Sequence, residues 1–173
     1  MSGGPQSAHS GLRHRPGMAR ITRTIEISAE RPTVWAAVAD LEGVADWNPN
    51  VAAAECPGNV AGVGAVRRCS LRGGGTIDEV VSEWQDGTRL RFAIGNHGGI
   101  RSADMGFDLA EDAVGTRATA VADYHLAFGP LGPVLDRMVV RHQMTRMLDA
   151  ALAGLKNTIE ATTKTQTKKE RTP

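Results

Sequence analysis

The segment Val34-Trp35-Ala36-Ala37-Val38-Ala39-Asp40-Leu41, followed by Ala45-Asp46-Trp47-Asn48-Pro49, decides how the rest of this chain reads. It predicts a short amphipathic helix with a buried Trp, a kinked second helix, and a Trp-Asn-Pro exit into a strand. Pro32 fits the first helical turn, where its missing N–H costs nothing. Val34, Trp35 and Val38 make the apolar stripe of that helix. Upstream, Arg20–Ser28 alternates Ile21, Ile25 and Ile27 with Thr22, Thr24 and Glu26, the period of a half-buried strand. Downstream lie a run of alternating strands and one long helix, Leu131 to Ile159. A strand, two short helices, many strands and a long helix describe an α+β chain whose curved antiparallel sheet wraps a helix. Such an arrangement leaves a hollow between the two.

The middle strands define one wall of that hollow. Asp86-Gly87 is a hairpin signal between Ile77–Trp84 and Thr88–Ile94. A two-residue turn there sets Glu83 opposite Leu90, Val81 opposite Phe92 and Glu79 opposite Ile94. Leu90, Phe92 and Ile94 take the buried side, with Arg89 and Arg91 on the other, so Glu79 points inward. In Val63–Leu71 the more apolar face holds Ala65, Arg67, Cys69 and Leu71, which carries Arg67 inward as well. A three-residue turn at Arg72-Gly73-Gly74 pairs Arg67 with Glu79. A two-residue Gly73-Gly74 turn pairs Arg68 with it instead; the first register is preferred.

Two later strands complete the wall. Ala103, Met105, Phe107 and Leu109 share the inward face of one. Ala118, Ala120, Ala122, Tyr124, Leu126 and Phe128 share that of the next. Three consecutive inward alanines either admit the helix closely or leave a void. On the terminal helix, Gly132-Pro133 and Asp136 mark the start. Leu131, Leu135, Met138, Leu148, Leu152, Leu155 and Ile159 form a stripe interrupted by His142 and Thr145, a polar break of the kind a cavity produces.

Together, Val34-Trp35, Ala39-Asp40-Leu41, Trp47-Asn48-Pro49, Gly62-Val63-Gly64-Ala65-Val66-Arg67, Glu79-Val80 and Gly129-Pro130-Leu131-Gly132 resemble the START-like, helix-grip superfamily called SRPBCC. Within it the chain looks most like the bacterial polyketide cyclase/dehydrase-type branch, over about Ala19 to Glu160. The resemblance implies a seven-stranded antiparallel sheet gripping the C-terminal helix around a hydrophobic cavity. Its occupant would be a polyketide, a lipid or an aromatic. If the protein is an enzyme, the resemblance implies cyclase or aromatase chemistry, with Arg67, Glu79, Tyr124 and His142 as catalytic candidates by type and position. The expected ligand wall comprises Trp47, Phe92, Ile94, Met105 and Phe107, then Ala120, Ala122, Tyr124, Met138 and His142. A non-catalytic lipid or aromatic carrier or sensor, or a regulatory protein-binding module, is the alternative. An Arg67–Glu79 pair has an equally good structural role, because a carboxylate held beside an arginine is a poor base.

Composition narrows the rest. At 173 residues, with 41% hydrophobic and 23% charged, the chain suits one globular domain, placed at 18–160. Met1–Gly17 is expected to be a disordered leader, and residues 161–173 a disordered basic tail. A net charge of +1 argues against a nucleic-acid surface. No apolar run is long enough for a membrane span. With two cysteines, Cys56 and Cys69, and no recognisable export signal, the expectation is a cytoplasmic protein, monomer or dimer, with reduced thiols. Its five histidines are not grouped as metal ligands, so neither a metal nor another cofactor is expected.

Overall fold

The structure, a computed structural model, describes residues 18–127 and 139–170, with side chains to residue 165. The elements run β1 (Ala19–Ile27), α1 (Arg31–Ala39), α2 (Val44–Trp47), β2 (Val51–Glu55), β3 (Val66–Leu71), β4 (Thr76–Gln85), β5 (Arg89–Ile94), β6 (Ile100–Asp112), β7 (Gly115–Leu126) and α3 (Arg141–Glu170). Strands β2 to β7 form an antiparallel meander, and β1 returns to pair with β7. The seven strands therefore lie in the order β1-β7-β6-β5-β4-β3-β2. Because β1 and β2 sit at opposite edges, α1 and α2 must carry the chain across the sheet between them. The long helix α3 packs against β1, β7, α1 and α2, giving the helix-grip arrangement. Within α3, Leu148, Leu152, Leu155 and Ile159 are buried. Leu131, Leu135 and Met138, the first part of that stripe, lie outside the described residues, as do Phe128, Asp136 and Met1–Gly17.

The β3–β4 connection is the three-residue one. Leu71 N–H donates to the Gly75 carbonyl at 2.9 Å. Arg67 consequently faces Glu79 and Arg68 faces Asp78. The β4–β5 hairpin differs from expectation at its tip. Its turn spans Asp86 to Thr88, with Gly87 in the left-handed region at φ 72°. A bulge between Val81 and Glu83 absorbs the additional residue, so Glu79 still faces Ile94 and Val81 still faces Phe92. Nearer the turn the register is displaced: Glu83 faces Arg91, and Trp84 faces Leu90. Trp84 thereby reaches the inner side and meets Trp35 edge to face, ring centroids 5.4 Å apart.

The outer face carries its own network. Arg91 is buried there, and its Nη2 donates to Asp108 Oδ2 at 2.7 Å. Arg89 Nε donates to Asp108 Oδ1 at 2.6 Å. Partial burial alone would push the Asp108 carboxyl up, but the two arginines outweigh it and hold the group below the ordinary carboxylate range. Beyond Glu160, α3 runs on to Glu170. Thr162 and Thr163 donate their hydroxyls to the turn before: Thr162 Oγ1 to the Thr158 carbonyl at 2.9 Å and Thr163 Oγ1 to that of Ile159 at 3.0 Å.

Candidate functional site

Between α3 and the concave face of the sheet lies a hollow of about 530 Å³. From the sheet, Phe92, Ile94, Met105 and Phe107 line it; from the helix, Met144, Met147, Leu148 and Ala151. These are adjacent inward positions of β5 and β6 facing one stripe of α3, so this part of the wall is apolar.

Into that wall β3 and β4 deliver a polar cluster. Arg67 Nε and Nη2 both reach Glu79 Oε2, at 2.7 and 2.6 Å. Cys69 Sγ donates to the same oxygen at 3.3 Å. Glu79 Oε1 accepts no hydrogen bond among the described residues. Arg67 Cζ also sits 4.1 Å from the centroid of the Phe92 ring, a cation–π contact that fixes the guanidinium plane. Both charged residues are largely withdrawn from water, at 6% and 9% exposure. The Cys69 thiol is pushed up to about 12 by burial and by the neighbouring Glu79 carboxylate. It is a small core group and a poor nucleophile.

The four catalytic candidates do not form one constellation. Arg67 and Glu79 touch each other and line the hollow. Tyr124 is fully buried away from the lining, and His142 is exposed on α3, off the face that meets the sheet. Ala120 and Ala122 are also fully buried and do not line the hollow. With no exposed surface, these two inward alanines are sealed positions of the core. Trp47 is a core residue too. Its Nε1 donates to the Ala37 carbonyl at 3.2 Å, and its ring packs edge to face on Phe107 at 5.7 Å. It backs the wall without reaching the hollow. Met138 lies outside the described residues.

A family model described as polyketide cyclase / dehydrase and lipid transport matches residues 18–160. The chain belongs to this family. A comparison with curated proteins found no match. Among solved structures, the aromatase/cyclase Zhui from Streptomyces sp. R1128 is 18% identical with a TM-score of 0.67, covering 83% of this chain and 94% of its own. A protein from Thermus thermophilus is 24% identical with a TM-score of 0.65, covering 84% and 98%. A START superfamily protein from Mycobacterium smegmatis is 15% identical with a TM-score of 0.66, covering 81% and 98%. At these identities the likeness fixes the fold.

Several residues of this family member's hollow escape the sequence reading. Counting back from Leu148 by four and then eight residues lands on Met144 and Val140, both in the lining. That periodicity was available as a signal. Asn48 and Asn50 had none beyond their position before a strand. Asn50 Nδ2 donates to Asn48 Oδ1 at 2.9 Å and to the Met147 carbonyl at 3.0 Å, tying the α2–β2 connection to α3. Gly154 makes the neighbouring contact close, since a Cβ there would stand 2.0 Å from the Trp47 carbonyl oxygen. These two contacts pack α3 closely against the α2–β2 segment beside the hollow.

Proposed function

We propose that this protein binds a hydrophobic small molecule in the hollow between α3 and the sheet. The observation that carries the reading is an apolar-walled space of about 530 Å³ with one buried ion pair in its lining. That volume lies within the ~300–1,000 Å³ typical of small-molecule sites, and their usual composition is the same: apolar walls with a few placed polar groups. Family membership and the fold shared with an aromatase/cyclase support a polyketide, lipid or aromatic occupant.

Polyketide cyclase or dehydratase chemistry is the second reading, and Glu79 Oε1 is the observation that favours it. Both Arg67 contacts and the Cys69 thiol converge on Oε2, which leaves the other oxygen to face a substrate proton. In that reading Glu79 Oε1 takes a proton next to a carbonyl despite the basicity it loses to Arg67, and Arg67 in turn stabilises the resulting enolate oxygen.

Native mass spectrometry of freshly purified protein tests the primary reading. It is expected to show a non-covalent small-molecule adduct that disappears on denaturation, or uptake of one from a panel of lipids and aromatics. A bare protein mass that takes up nothing from that panel contradicts the reading.

A further inference from the structure

Two arginines line the hollow among the described residues, and Arg72 is the one without a carboxylate. Its guanidinium makes no hydrogen bond or ion pair among the described residues, although its backbone N–H is held by the Asn50 carbonyl at 3.0 Å. Its neighbours on β3 are both paired, Arg67 with Glu79 and Arg68 with Asp78. Arg72 sits in the exposed β3–β4 turn and lines the hollow, so it stands at the opening. The β5–β6 turn meets it from the other side: His97 also lines the hollow, and its Cε1 lies 3.6 Å from where a Cβ on Gly75 would stand. Glu79 is the one carboxylate among the described lining residues, and Arg67 already occupies it. The opening thus presents an uncompensated cation and an imidazole above apolar walls.

We propose that the two hairpin tips recognise the anionic head of an amphipathic ligand, a carboxylate at Arg72, whose apolar body fills the hollow. This deepens the binding reading above and rests on it. An exposed arginine next to an apolar opening has no partner to lose when it binds, and its planar donors suit a carboxylate in either a one- or two-bond geometry. A neutral ligand of the same shape gains the apolar contacts alone.

The test is calorimetric binding of matched probes, dodecanoate and 1-dodecanol, below their aggregation concentrations, to the wild-type protein, Arg72→Ala and Arg72→Glu. Wild type is expected to prefer dodecanoate by roughly tenfold, the value of one charge-assisted hydrogen bond. Arg72→Ala is expected to remove that preference while weakening 1-dodecanol binding far less than dodecanoate binding, and Arg72→Glu to reverse it, binding 1-dodecanol more tightly than dodecanoate. Arg72 is exposed in a turn, so melting temperatures are expected to match and any loss of binding is not unfolding. Equal wild-type affinity for the two probes, or a preference that survives Arg72→Ala, overturns the head-group assignment and leaves apolar binding standing. Failure of wild type to bind any of the probes overturns this assignment and counts against the binding reading as well.

Discussion

The Arg67–Glu79 pair concentrates the physics of this protein in two side chains. Each is largely hidden from water, and each depends on the other to offset its desolvation. Arg67→Met or Glu79→Leu alone is therefore expected to leave a buried charge and to cost on the order of 3–5 kcal/mol in chemical denaturation. The double substitution is expected to recover most of that loss. Additive losses in the double variant would contradict a coupled pair. The inward face was legible in the sequence because Leu71 and Cys69 share parity with Arg67, but the glycine run allows two turn lengths, and it is the structure that pairs Arg67 with Glu79. His142 carries an equally local ambiguity, a polar group facing the sheet or a residue on the helix flank. A polar break in a stripe points to a gap facing the sheet, but a helix has other faces, and this break sits on an exposed one. Thr145 satisfies its hydroxyl within the helix, donating to the Arg141 carbonyl at 2.8 Å. Asn50 was illegible for the opposite reason, since its partner is a backbone carbonyl of residue Met147, and no side-chain pattern records it.

Elements show how two misread local features can leave a register intact. The β4–β5 turn is one residue longer than Asp86-Gly87 implies, and the bulge near Ser82 restores alignment below it. Periodicity fixes which residues share a face, yet a bulge has no composition signature here, so only Trp84 and Glu83 were displaced. The same bulge turns Glu83 to the outer face beside Arg89, where Asp108 holds Arg89 and Arg91 together. Asp108 has a folded pKa below its unfolded value, so its contribution is full above the ordinary carboxylate pKa of ~3.9 and is lost as pH falls through the folded value. Asp108→Asn is accordingly expected to lower the melting temperature at pH 7. The gap from wild type should narrow as pH drops below about 4. A gap that stays constant between pH 7 and pH 2 would show that Asp108 contributes through packing instead of charge.

At the scale of the whole molecule, element order alone carried the architecture: a strand, two short helices, a meander and a long helix have few ways to bury every apolar face. In the sheet order β1 lies beside β7, and α3 packs on both strands. What the pattern left open was where the space lies. Inward alanines look the same in sequence whether a helix or a ligand covers them. Packing decides: Ala120 and Ala122 are sealed, while Ala103 and Ala151 line the hollow. The central claim, that this hollow and no other part of the inner face holds the ligand, is most directly tested by titrating a neutral environment-sensitive fluorophore, 1-aminoanthracene, into wild type, Ala103→Phe and Ala120→Phe. Wild type is expected to bind the fluorophore with increased emission. Ala103→Phe is expected to keep a near-native melting temperature and to bind at least tenfold more weakly, because the new ring occupies the space. Ala120→Phe is expected to be destabilised by roughly 1–3 kcal/mol or more, the cost of overpacking a sealed site. Unchanged binding in a folded Ala103→Phe, with binding abolished in an equally stable Ala120→Phe, would place the ligand against β7 and contradict the account.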